Sequence, residues 1–150
     1  MCEQKFEQEQ ERRNGMKILA YVDAQEAEQI AEVLKRTECL SGREIIYNDL
    51  WMQSESPGVR MTCSRTEAEL FRQIESLSDD APCCYVLDHL HAVENSTDMA
   101  TPLSIGRALF HAASSRGIDI VIVVRNPFMQ HERALCWDLL EADADIILRP

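Results

Sequence analysis

One short run, Cys83-Cys84-Tyr85-Val86-Leu87-Asp88-His89-Leu90, constrains this chain most. It is continuously apolar, rich in β-formers, and ends in an acid. The turn-like Asp79-Asp80-Ala81-Pro82 precedes it. Such a run predicts a strand buried on both faces. Strands of that kind belong to parallel sheets covered by helices, and ligands of those sheets sit just beyond the strands' carboxyl ends. Asp88 falls at that place.

The remaining pattern repeats strand and helix. Lys17–Val22 predicts a strand, and Asp23-Ala24-Gln25-Glu26 predicts a capping box with Asp23 as the N-cap. Ala27, Ile30, Ala31 and Leu34 then recur at helical spacing. Arg43–Asp49 and Val59–Cys63 are two candidate strands competing for one sheet position. Ser64-Arg65-Thr66-Glu67 predicts a second capping box, with Leu70, Phe71, Ile74 and Leu77 marking its helix. After the Cys83 strand, residues 91–101 form a polar loop. Thr101-Pro102 opens a helix whose inner stripe reads Ile105, Ala108, Leu109 and Ala112, and Gly117 closes it. Asp119–Val124 is the most β-rich segment. Asn126-Pro127 opens a last helix carrying Phe128, Leu135 and Leu139, and Asp145–Leu148 is a final strand. The expected fold is a doubly wound α/β domain with a parallel five-stranded sheet over residues 16–150. A helix after the last strand is missing, so a fused domain or a homodimer is expected to cover that face. Residues 1–15, repetitive in Glu and Gln, predict a disordered leader.

Composition excludes several function classes. A net charge of -11 argues against a nucleic-acid surface. The N-terminus carries no apolar signal segment, and no run is long enough to span a bilayer, so a cytoplasmic location is expected. None of the six cysteines forms a C-x-x-C pair, so reduced thiols are expected and zinc or thioredoxin-like spacings are absent. Adjacent Cys83 and Cys84 should point to opposite faces of their strand. Phosphate-cradling, dinucleotide-binding and nucleophile-elbow motifs are absent as well. Strand alternation sets His89 and His91 on one side and Asp88 on the other, which disfavours a histidine metal site. His111 and His131 are expected to face solvent.

Taken in order, three stretches resemble a response-regulator receiver domain. Glu141-Ala142-Asp143-Ala144-Asp145-Ile146-Ile147-Leu148-Arg149-Pro150 is similar to that family's closing stretch. Val86-Leu87-Asp88-His89-Leu90 resembles the strand ending in the phosphoacceptor aspartate, and Ile18–Asp23 the first strand with its acidic end. The resemblance implies a flavodoxin-like sheet and an acidic pocket of Asp23 and Asp88 that would hold Mg²⁺. It also implies a hydroxyl at the fourth strand end and a lysine at the fifth. This chain departs from the pattern: Ala24 stands at the second acid, Arg125 at the hydroxyl, and Arg149 at the lysine. A fixed guanidinium can pair with a carboxylate bidentately, so Arg125 or Arg149 would hold Asp88 ionised without metal. The expectation is a pseudo-receiver: a regulatory, non-enzymatic protein-interaction module with no cofactor. Its interface would lie on the last helix and strand, through Trp137, Leu139 and Leu140. Trp51, in the loop before Ser-Pro-Gly, is read as a lid packed over the sheet edge or, if exposed, as an anchor for a partner.

Two alternatives stay open. One is an active phosphoacceptor receiver of a two-component system. The other is a nucleoside deoxyribosyltransferase-like enzyme, which Asp98-Met99-Ala100-Thr101-Pro102-Leu103-Ser104-Ile105-Gly106-Arg107-Ala108 resembles. There Ser104 replaces the nucleophilic Glu.

Overall fold

A computed structural model describes residues 14–23, 26–49, 58–77, 83–90, 93, 102–125 and 138–149. Six parallel strands form one sheet: β1 (Lys17–Val22), β2 (Glu44–Asp49), β3 (Val59–Thr62), β4 (Cys83–Asp88), β5 (Asp119–Arg125) and β6 (Ile146–Leu148). Four α-helices are described: α1 (Ala27–Arg36), α2 (Glu67–Ser76), α3 (Pro102–Ser115) and α4 (Asp138–Asp143). The α/β class holds. The expected count of five strands is corrected to six, because both candidates in 40–63 enter the sheet. β2 and β3 pair in register, Ile45 with Val59 and Asn48 with Thr62.

The strand order is β3-β2-β4-β5-β1-β6. β1 therefore pairs with β5 and β6, not with β4. The neighbours of β4 are β2 and β5. In a 2-1-3-4-5 sheet the first strand adjoins the acceptor strand; here β2 takes that place.

Alternation along each strand divides the core into two layers. Ile18, Ala20, Ile45, Tyr47, Cys84, Val86, Val121 and Val123 pack with Ile30 and Leu34 of α1. Leu19, Tyr21, Ile46, Tyr85, Leu87, Ile120 and Ile122 pack beneath α2, α3 and Leu140 of α4. Cys83 and Cys84 fall in opposite layers and are free thiols, as alternation requires. Each fully buried leucine or isoleucine contributes about 1.5–3 kcal/mol.

Helix boundaries are set by capping chemistry, and both predicted boxes are displaced. α1 begins after Glu26 rather than Asp23, and Gln29 accepts from the Glu26 N–H. α2 is capped by Thr66, whose hydroxyl accepts from Glu69 N at 3.1 Å, rather than by Ser64. Glu69 in return accepts from Arg65 N. Ser64 is engaged elsewhere: its N–H donates to Asn48 Oδ1 at 2.7 Å, tying α2's approach to β2. On α3 the inner stripe is Ile105, Gly106, Leu109, Phe110 and Ala113; Ala108 is exposed. Gly106 permits this rotation, because a Cβ there would meet Leu90, Leu140 and Ile122 side chains at 3.0–3.4 Å. Gly117 closes α3 with φ +77°, as expected for a glycine C-cap.

Met1–Arg13, Trp51, His91, Thr101, the start of the predicted last helix, Phe128, His131, Leu135 and Trp137 lie outside the described residues. No helix among the described residues is long and apolar enough to cross a membrane.

Candidate functional site

Asp49 ends β2 and Asp88 ends β4. The two are register partners across the parallel pair. Ile45, Tyr47 and Asp49 alternate onto the face that Cys84, Val86 and Asp88 share, so both carboxylates stand on the α1 side of the sheet. They are 1% and 0% exposed respectively. A buried carboxylate needs partners, and Asp88 has them on both oxygens. Tyr47 Oη donates to Oδ2 at 2.5 Å, and the His89 N–H donates to Oδ1 at 2.9 Å.

His89 is the residue whose orientation the sequence misplaces. Its φ of +61° lies in the left-handed region, where a Cβ is disfavoured. That conformation breaks the strand alternation at its carboxyl end. The imidazole returns to the side of Asp88 instead of facing away. Its Nε2 sits 3.6 Å from Asp49 Oδ1 and 3.7 Å from Asp88 Oδ2, with the side chain 4% exposed. One ring nitrogen is thus placed against both acids.

The Mg²⁺ implied by the receiver resemblance is a poor match for these residues. The ligating atoms of Asp49, Asp88 and His89 lie within 4.8 Å of one another. One of the three is an imidazole nitrogen, whereas Mg²⁺ selects oxygen and keeps several waters. Asp88 also spends both oxygens on Tyr47 and His89.

The other expected pocket residues are placed elsewhere. Asp23 is exposed beyond β1, with β5 between its strand and β4. Arg149 follows β6, three places from β4 in the sheet order. Its guanidinium lies 5.1 Å from the Tyr21 ring centroid and 3.4 Å from Glu141 Oε1, and Tyr21 Oη donates to the same Glu141 oxygen. Arg149 is thus a cap on the β1–α4 contact and not a counter-ion of Asp88. Arg125 is the last residue of β5, and its backbone pairs with Val22; its side chain lies outside the description. Leu139 is 49% exposed, whereas Leu140 is fully buried in the core, which removes Leu140 from the expected interface. His111 is exposed, as expected, near Asp143. Ser104 is exposed on the first turn of α3.

Two further buried groups lie away from this cluster. At the amino end of the sheet, Asp119 accepts from Met16 N at 2.8 Å, and its other oxygen lies 2.5 Å from Arg43 Nε. Burial pushes the Asp119 carboxyl above its ordinary value, against the lowering effects of Met16 N–H and Arg43. Burial also pushes the Cys84 thiol and the Tyr85 phenol well up. Cys84 is accordingly an inert thiol, and Tyr85 stays a donor to Gln73 Oε1 at 2.8 Å.

Sequence reasoning missed Tyr47, Asp49 and the orientation of His89. The signal for Asp49 was the one that marked Asp88: an acid closing an apolar strand. No protein-family model matches the chain, and no curated protein matches it either.

Proposed function

We propose that this chain is a regulatory protein-interaction module on a flavodoxin-like scaffold, with a receiver-like acid pocket that does not accept a phosphoryl group. The scaffold reading draws on the neighbours β3-β2-β4-β5, which follow a 2-1-3-4 order if β2 is counted as the first strand. In that alignment Asn48-Asp49 falls at the acidic strand end and Asp88 at the acceptor position.

The observation that carries the reading is the state of Asp88. A phosphoacceptor needs an accessible carboxylate oxygen for in-line attack. Asp88 is fully buried, and its two oxygens accept from Tyr47 Oη and His89 N. Attack would require breaking a short hydrogen bond to a charged acceptor, worth about 1.5–3 kcal/mol, and reopening the face. The module is therefore read as non-enzymatic, acting through a protein surface. The exposed Leu139 on α4, beside the half-buried edge strand β6, is the surface we assign to a protein partner or a second copy.

A second reading has one observation in its favour. Two register-paired acids at adjacent strand ends are what an active phosphoacceptor receiver requires. Phosphoryl transfer from acetyl phosphate in the presence of Mg²⁺ separates the two: the proposed module gains no mass, and an active receiver gains one phosphoryl group on Asp88.

A further inference from the structure

The sheet has two edge strands, and they are finished differently. β3 carries Arg60, exposed in mid-strand, a charge of the kind that blunts an edge. β6 carries no such guard: its residues are Ile146, Ile147 and Leu148, all half-buried. Among the described residues β6 pairs with β1, and no strand lies on its far side. Both of its faces are apolar. Ile147 packs on the layer that holds Leu140 of α4, and Ile146 and Leu148 pack on the layer beneath α1.

We propose that β6 pairs antiparallel with β6 of a second copy of this chain, joining two sheets across a two-fold axis at Ile147; this rests on the surface assigned above to α4 and β6. The ends of the strand select that occupant. Asp145 precedes β6 and Arg149 follows it, and both are exposed. A two-fold axis at Ile147 sets Ile147 opposite its own copy, Ile146 opposite Leu148, and Asp145 opposite Arg149. The stretch Asp-Ile-Ile-Leu-Arg is therefore complementary to itself when reversed, and the symmetry makes each contact twice. A slip of one residue sets Asp145 against Leu148 or Arg149 against Ile146, so the charges also fix the register.

Both charged groups are held in place before a second copy arrives. Asp145 Oδ2 accepts from Lys17 N at 2.9 Å, which orients the carboxylate at the strand's start. Arg149 uses one terminal nitrogen on Glu141 Oε1 at 3.4 Å, and its guanidinium carries further N–H donors. A chain with a formal net charge of -11 repels its own copy, so self-contact needs a face without excess negative charge. Residues 145–149 hold one acid and one base. A strand pair this short buries less than the roughly 1,200–2,000 Å² of a stable interface. α4 borders the joint through Glu141, and its exposed Leu139 adds apolar area there.

The test is sedimentation equilibrium on the full chain with charge reversal. The parent is expected to form a dimer. Asp145→Arg and Arg149→Asp each set like charges opposite one another, and each alone should weaken the dimer at least about tenfold. Mixed one to one, the two variants present opposite charges to each other again and should associate as the parent does. That recovery separates lost complementarity from misfolding. Should either variant not fold, amide hydrogen exchange on the parent reads the same contact: exchange within Ile146–Leu148 should slow as protein concentration rises. A monomeric parent, folded variants that do not recover on mixing, or β6 exchange independent of concentration overturns the pairing. Association weakened by Leu139→Asp but untouched by both reversals also overturns it while leaving the α4 surface standing, so the two failures are distinguishable.

Discussion

Tyr47 Oη donates a 2.5 Å hydrogen bond to Asp88 Oδ2 from a register position one pleat before Asp49 on the neighbouring strand. The bond crosses two strands separated by 41 residues in sequence, so it closes the carboxyl end of the sheet rather than a local turn. It fixes the acid that a phosphotransfer site would need free.

Replacing Tyr47 by Phe keeps the ring in the core and removes this donor. The buried carboxylate then loses a charge-assisted bond, and stability should fall by about 1.5–3 kcal/mol. Urea unfolding at pH 7 measures it. A loss under about 0.5 kcal/mol would mean that Asp88 does not depend on Tyr47.

His89→Gly separates backbone strain from charge. Glycine relieves a left-handed conformation by about 1–2 kcal/mol. If strain were all that mattered at φ +61°, the variant would be more stable than the parent. The account predicts the reverse, because the imidazole contacts to Asp49 and Asp88 are lost. His89→Gly should still exceed His89→Ala in stability, by about 1 kcal/mol. Thermal melts of the three proteins at pH 6 decide it.

These residues also mark how far the sequence could be read. The buried strand ending at Asp88, the two-layer alternation and the α1 stripe followed from apolar spacing, because burial depends on pattern. Asp49 carried the same strand-end signal as Asp88. What hid its role was sheet order, which is a long-range property: nothing local says that β2 rather than β1 adjoins β4. The receiver resemblance therefore points to Asp23, while the fold sets Asp49 beside Asp88. Alternation alone turns His89 away from Asp88, because it assumes a continuing strand, and one left-handed φ reverses the side chain's direction. Arg149 matches a counter-ion of Asp88 only by position in the resemblance, since β1 and β5 stand between their strands.

At the amino end of the sheet, Asp119 gives a pH dependence of known sign. Its carboxyl is raised above 3.8 in the fold, chiefly by burial. Folding therefore binds a proton there. The contribution to stability is complete below 3.8 and is lost as pH rises through the higher folded value. Asp119→Asn should remove this segment of the profile, so its stability relative to the parent should improve between pH 4 and neutrality. Arg43→Met, which strips the cation at 2.5 Å, should steepen the loss over the same window. Urea midpoints measured across that range test both signs; a parallel pair of profiles for the parent and Asp119→Asn would contradict the assignment.

Leu139 and Leu140 are adjacent and should behave oppositely. Leu140 is fully buried and Leu139 is 49% exposed. Leu140→Asp places an unpaired charge in the core and should cost more than about 4 kcal/mol or prevent folding. Leu139→Asp should change stability by no more than about 0.5 kcal/mol while weakening partner or self-association. Sedimentation velocity and urea unfolding of both variants check this; association unaltered by Leu139→Asp would remove α4 from the proposed interface.

The most direct measurement is intact-protein mass spectrometry after incubation with Mg²⁺ and acetyl phosphate, on the parent, Asp88→Asn and Tyr47→Phe. The account predicts no phosphoryl adduct on the parent protein, whose Asp88 oxygens are both engaged. An adduct on the parent that disappears in Asp88→Asn would contradict it and identify an active phosphoacceptor.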